Sequence, residues 1–256
     1  MVKRKIFKGT RNAVCIIGFV MVWHMASTFT KPMFIPSPGS VLEAWLNLID
    51  TGQLGKGLLY SFLRITFAAV ISMGIALPMA LLIYGFKPLK EMFMPVVSFL
   101  RYIPVSAFSP LLILWCGIGE KMKISFLFVA TFVYLLPSTL LCFDEVPQDL
   151  MDTGRTIGMR SWETIFEILL PASLPSICNT FIMMYGIGWT YCAIVEATNA
   201  HYGLGFIITV SSARGRTAVV FAAIVTIMLF SFVFDWVGKR LIRVAFPWRF
   251  QHDKGD

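Results

Sequence analysis

"DTGRTIGMRSWETIFEILLPASLP", residues 152–175, is charged, polar and punctuated by Gly158, Pro171 and Pro175. Apolar chain surrounds it: one run ends at Phe143 and the next opens at Ala172 and continues to Val195. Within it, local rules read as two short helices joined at a glycine. From Pro147 to Ile157, proline stands first, Asp149 and Asp152 lie early and Arg155 lies late, as a helix dipole favours. Gly158 follows where a left-handed C-terminal cap is expected. Ser161 can then cap a second helix, "SWETIFEILL", with Glu163 in its first turn and Pro171 as its stop. Trp162, Ile165 and Phe166 make an apolar stripe on that second helix. A solvated connector does not need such a stripe, so something covers it.

Composition identifies the solvent around this elbow. Of 256 residues, 57% are hydrophobic and 14% charged, with a mean hydropathy of +0.75. Soluble domains run at about half apolar and about a quarter charged. A helix crosses the hydrocarbon slab in about 17–25 residues. Six stretches qualify: 13–29, 65–84, 92–115 (interrupted by Arg101), 124–143, 172–195 and 217–234. Lipid offers the backbone no hydrogen bonds, so runs of this length without alternation predict helices. The expected fold is an all-α membrane protein, one transmembrane domain over 1–256, with six transmembrane helices and the helix–Gly–helix loop at 144–171.

Charge placement orients it. Lys3, Arg4, Lys5, Lys8, Arg11, Lys87, Lys90, Arg155, Arg160, Lys239, Arg240, Arg243, Arg249 and Lys254 all fall on the side of the N-terminus. Only Lys31, Lys56, Lys121, Lys123, Arg214 and Arg216 fall opposite. The positive-inside rule then predicts that both termini and the 144–171 loop are cytoplasmic. The basic residues flank spans and form no stripe with exposed aromatics, which excludes a nucleic-acid partner. The five cysteines lie in or beside apolar runs at no metal-like spacing and read as small hydrophobes. The basic, apolar first 30 residues read as an uncleaved first helix. On the outer side, "KPMFIPSPGSVLEAW" (31–45) has a proline-enforced extended start and a short helix from Ser40, followed by the turn-rich "LIDTGQLGKG".

Polar residues inside apolar runs are the candidate path residues. Arg64 sits at the end of the second span, where it could snorkel to the interface. Arg101 lies inside the third run beside Tyr102, with Pro104 and Pro110 following. Such a segment either lines a translocation path or is a kinked helix with a structural ion pair. Glu196 and Asp235 are path residues or partners for the arginines. "GIGW" (186–189) offers small residues for close helix packing. His24, His201 and His252 are scattered, and no nucleophile stands near a convincing base, so an enzyme is disfavoured.

The loop resembles the signature loop (EAA loop) of permeases of ATP-binding-cassette importers. Gly158, Ile168, Leu170 and Pro171 are in register with it, and Asp152, Thr153 and Gly154 occupy the positions of its Glu-Ala-Ala triplet. Gly154 in place of alanine should weaken the first helix by about 1 kcal/mol. "FIPSPGSVLEAW", "SFLRITFA", "FLRYIPVSAFSPLLILWCGIGE" and "VEATNAHYGLGFII" resemble, in order, the branch that carries nitrate, sulfonates, taurine, bicarbonate and some pyrimidine precursors.

The resemblance implies that Asp152–Pro171, with Ser161 and Trp162, couples to a separate ATPase subunit. It implies a second permease copy as a homodimer, and an extracytoplasmic solute-binding protein. The location implied is the cytoplasmic (inner) membrane of a bacterium. No cofactor is expected on this chain, and ATP-Mg belongs on the partner ATPase. Consistent with that, no G-x-x-x-x-G-K-[ST] phosphate loop occurs; "GQLGKG" (52–57) has the wrong spacing. The expected cargo is a small, anionic solute, with a pyrimidine or vitamin precursor as alternative. An ion-coupled secondary transporter would show a second broken span in its other half, and none is found.

Overall fold

The structure, a computed structural model, describes residues 2–198 and 200–250, with side-chain surroundings from Val14 to Arg249. Among them there are helices and turns but no strands. In chain order these are α1 (Val2–Phe29), α2 (Pro38–Asp50), α3 (Gln53–Gly85), α4 (Lys87–Leu100), α5 (Ser109–Cys116), α6 (Glu120–Asp144), α7 (Gln148–Thr156), α8 (Ser161–Thr164), α9 (Leu170–Glu196), α10 (Leu204–Ala213) and α11 (Thr217–Ala245). A 3-10 turn, Val105–Phe108, leads into α5, and another, Pro247–Phe250, follows α11.

Four helical stretches are long and apolar enough to cross a membrane: α3, α6, the continuous Ser161–Glu196 and α11. They take up the second, fourth, fifth and sixth expected spans. The third does not run straight. α4 and the Val105–Cys116 segment meet at 88°. Pro104 opens the 3-10 turn and Pro110 sits in the first turn of α5, so the ladder breaks at Arg101–Pro104. The first expected span falls within α1, a helix of 28 residues whose apolar Val14–Phe29 part is the part described with its side chains. Among the described residues, four helical stretches are long, straight and apolar enough to cross, and five if the bent pair counts as one.

Several elements run beyond their expected bounds. α3 starts at Gln53, because only Thr51 and Gly52 separate it from α2 and the supposed turn-rich stretch is helical. α11 continues past Phe234 to Ala245, supported by Asp235–Lys239 one turn apart at 2.8 Å and by Arg240 over the Trp236 ring at 4.9 Å. Asp235 thus pairs with Lys239 and with neither membrane arginine. α10 has no counterpart in the sequence reading, since ten residues cannot span a bilayer.

The bundle is centred on α3, α6 and α9. Ala68, Ala69, Ala76 and Ala80 of α3 are essentially inaccessible, so its backbone lies close against its neighbours. One core cluster, with Phe126, Tyr185 and Trp189, fills the half away from the 144–171 loop; a second, with Leu136, Phe143 and Leu169, fills the half beside it. Lys90 bonds Asp144 at 3.0 Å and lies over Tyr84, tying α4 to α6 at that loop end. Outward faces of α1, α3 and α11 expose Phe19, Phe67 and Phe232, as lipid-facing helices do.

The two glycines of "GIGW" differ. A Cβ on Gly188 would stand 3.0 Å from Ile65 of α3, whereas one on Gly186 would meet nothing within 4 Å. Gly188→Leu should lower the stability of the detergent-purified protein by about 1–3 kcal/mol through overpacking. Gly186→Ala should be neutral or raise it by up to about 1 kcal/mol. Thermal unfolding of the two variants checks this, and the opposite ranking would place the α3–α9 contact elsewhere.

Candidate functional site

At the loop end, α7 closes with paired hydrogen bonds. Gly158 has φ +84°, its N–H donates to Arg155 O at 3.0 Å, and the Met159 N–H donates to Gly154 O at 3.1 Å. This is a Schellman cap, and it turns the chain sharply between the two helices as the glycine predicted. Gly154 gains a reason that propensity alone does not supply. A Cβ there would stand 2.6 Å from Ile168 Cδ1, with Met159 Sδ and Thr164 Cγ2 also within contact range. The elbow folds back onto this glycine, so part of the helix-weakening cost is offset by close packing.

The second arm differs from expectation in two ways. Ser161 is the first helical residue and does not cap; Arg160 holds the cap position, and its N–H donates to Glu163 Oε2 at 2.8 Å. Nor does Pro171 stop the helix. Ile165–Leu169 forms a π-turn and the chain runs on, giving one helical stretch Ser161–Glu196. Proline lacks the N–H that an α-turn needs and its ring crowds the carbonyl four residues back; the wider π-turn relieves both.

The arm is two-faced. Thr164 and Leu169 are buried, and Ile165, Ile168 and Leu170 pack on the loop-end core. Trp162 and Phe166 point outward, 58% and 53% exposed, and Ile157 beside the cap is 73% exposed. Asp152 and Thr153 are solvated; Asp152 pairs with Arg155 at 3.0 Å and Thr153 Oγ1 donates to Asp149 O. Pro171 is exposed at the base. The site is therefore a rigid elbow presenting an apolar patch with a charged rim.

At the far end, Arg64 does not snorkel. It is 5% exposed and its guanidinium is fully engaged. Nε and Nη2 donate to the two Glu120 oxygens at 2.6 and 2.7 Å, and Nη1 donates to Glu196 Oε1 at 2.6 Å and to Tyr202 O at 2.8 Å. The fully buried Glu196 also accepts from Ser61 Oγ and from the Gly205 N–H. Lys123 completes the cluster, 3.1 Å from Glu120. Gly203, at φ +139°, lets the chain pass so close to the Glu196 carboxylate that a Cβ would collide with it. α3, α6, α9 and the entry to α10 are joined here.

Of the remaining path candidates, Arg101, Tyr102 and Pro104 stand together at the 88° bend, all exposed, far from this cluster in connectivity. Arg101 makes no ion pair among the described residues. Ser61, Glu120 and Lys123 were missed by the sequence reading. Glu120 was the findable one, a lone acid at the mouth of an apolar run.

Comparison with known proteins gives this geometry a lineage. The family model described as "Binding-protein-dependent transport system inner membrane component" matches residues 68–244. The taurine transport system permease protein TauC of Escherichia coli is 28% identical over 89% of this chain and 85% of its own. The putative aliphatic sulfonates transport permease protein SsuC of Bacillus subtilis is 26% identical over 96% and 90%. A solved structure of the MetNI methionine ABC transporter, in inward-facing conformations, superposes with a TM-score of 0.66 at 22% identity, over 73% of this chain and 94% of that one. At that identity the likeness is one of fold.

Breaking the far-end cluster should be costly in an ordered way. Arg64→Met strands the buried Glu196 carboxylate and should cost about 3–5 kcal/mol. Glu196→Gln keeps an acceptor for Ser61 and Gly205 and should cost less. Denaturant unfolding of both variants checks the order; equal losses would mean that packing, and not charge, holds this end.

Proposed function

The chain belongs to the family of binding-protein-dependent transport system inner membrane components, and from that premise we propose that its 152–171 loop is the dock for a separate ATPase and its cargo a small anionic solute. Family membership makes it a multi-pass ABC importer permease, a transport subunit with ATPase and solute-binding-protein partners. The observation that carries the docking assignment is the elbow: a Schellman turn at Gly158 holds Trp162, Phe166 and Ile157 outward, while the same arm roots in the core through Leu169. Aromatic anchors on a rigid base, rimmed by Asp152, Arg155 and Arg160, have the anatomy of a protein interface.

In this reading ATP-Mg binds and is hydrolysed on the ATPase, and this chain holds no cofactor. The termini and the loop face the cytoplasm of a bacterium, and the binding protein delivers solute to the opposite face. A second copy of the chain completes the path. The taurine and sulfonate relatives support a cargo that carries an anionic sulfonate-like group. Arg64 already has two carboxylates, so of the two arginines in apolar runs Arg101, exposed with Tyr102 and Pro104 at the broken segment, is the one placed to meet the solute. Arg64 and Glu196 then brace the path without lining it.

Reconstitution of the permease with the ATPase and binding protein encoded beside it tests the whole reading. ATP hydrolysis stimulated by a binding protein loaded with taurine, an alkanesulfonate, nitrate or bicarbonate is expected; uptake that follows an ion gradient with no ATPase present would end it. Gly158→Val should leave ATP hydrolysis but abolish most coupled uptake, because a β-branched residue resists the left-handed turn. Near-normal uptake by that variant would remove the elbow from the coupling path.

A further inference from the structure

In the half away from the elbow, α2, α10 and α11 border a half-open pocket of about 370 Å³, large enough for a small ligand. Its apolar lining includes Leu48, Ile207 and Val219, and Asn47 and Gln53 add neutral polar groups. Arg214 and Arg216, also in the lining, are placed by the turn between α10 and α11. Gly215 has φ +65°, its N–H donates to Ser212 O at 3.0 Å, and the Arg216 N–H donates to Ser211 O at 2.9 Å. This is a second Schellman cap, so both arginine side chains leave from a fixed backbone.

Neither guanidinium is committed. Arg214 and Arg216 are exposed and make no ion pair, side-chain hydrogen bond or ring contact among the described residues. No Asp or Glu lines the pocket. The acids of α2, Glu43 and Asp50, lie outside the lining and pair with neither arginine. Where α2 ends at the pocket, Asn47 O and Ile49 O already accept from the N–H groups of Thr51 and Gly52.

Two further features converge here. Ser211, 8% exposed, lines the pocket, and its hydroxyl has no hydrogen-bond partner among the described residues. A buried hydroxyl is seldom left unmet. The 29-residue α11 begins at Thr217 with no side-chain cap, because Thr217 Oγ1 donates to Pro32 O. The positive end of its dipole therefore lies beside the arginines. Guanidinium forks match a pair of acid oxygens well, and the apolar lining suits a short hydrocarbon body.

We propose that the pocket lined by Ser211, Arg214 and Arg216 is a binding site for a small organic oxyanion with a short apolar body. This ligand class overlaps with that of the proposed cargo, so the test separates the pocket from Arg101.

The test is a ligand-observed NMR titration of the detergent-purified full-length permease with ethanesulfonate and its neutral counterpart, ethyl methyl sulfone. Ethanesulfonate should bind the wild type about tenfold or more tighter than the sulfone does, through charge-assisted hydrogen bonds. Arg214→Gln/Arg216→Gln should remove that advantage, and Ser211→Ala should weaken ethanesulfonate a few-fold. Arg214→Lys/Arg216→Lys should keep most of the binding, which separates loss of charge from loss of fold. Arg101→Gln should leave it unchanged. If ethanesulfonate fails to bind the wild type, or binds the double glutamine variant equally well, the site does not exist. A loss confined to Arg101→Gln would overturn this pocket and leave the path assignment standing.

Discussion

A guanidinium buried among apolar helices must be matched by carboxylates, and the position of Arg64 imposes that requirement on half the molecule. Two charges taken out of water are costly unless every donor is met in good geometry. Here Glu120 supplies two oxygens and Glu196 a third, so α6 and α9 must each present one face to α3. The demand then spreads. Glu196 has oxygens to spare and takes the Gly205 N–H, while Ser61 receives the Leu204 N–H, so the first turn of α10 is pinned to the same point. Hydrophobic packing alone would let these helices rotate or slide; directional bonds to a buried ion do not.

The loop end is held by the opposite means. Its fixed points are backbone features: a left-handed glycine, a Schellman pair of hydrogen bonds and a π-turn ahead of a proline. Charges there are solvated and screened, and pairs such as Asp152–Arg155 contribute little. One end thus takes its shape from side-chain ionic geometry, the other from chain geometry with Ile157, Trp162 and Phe166 left exposed.

This division explains what could be read from the sequence. The elbow was legible where its rules are local: Gly158 as a cap follows from spacing within a dozen residues, but of the stripe Trp162, Ile165 and Phe166 only Trp162 and Phe166 face outward, and Ile165 turns to the core. The registers of Gly158, Ile168, Leu170 and Pro171 made the family legible as well. Local rules failed where a neighbour changed the outcome. Pro171 reads as a stop until a π-turn accommodates it, and Ser161 reads as a cap until the helix starts one residue earlier, with Arg160 at the cap position and its N–H held by Glu163. Arg64 reads as a snorkelling residue, since its partners lie 56 and 132 positions away and nothing in its own helix announces them. α10 was missed because a short apolar helix has no period or length to distinguish it from loop.

The π-turn has one more consequence. Because it carries the chain through Pro171 without a loop, the elbow's second arm and α9 form a single strut of 36 residues, about 54 Å long. Its two tips are Ser161, beside the outward tryptophan, and Glu196, locked to Arg64. A linker would absorb a push at one tip; a strut does not. Pivoted at its midpoint, a tilt of about 10° displaces each tip by about 5 Å in opposite directions. The salt-linked tip can follow such a swing only by dragging α3 and α6 with it or by letting go, so any tilt of this helix is resisted by the grip of one buried arginine.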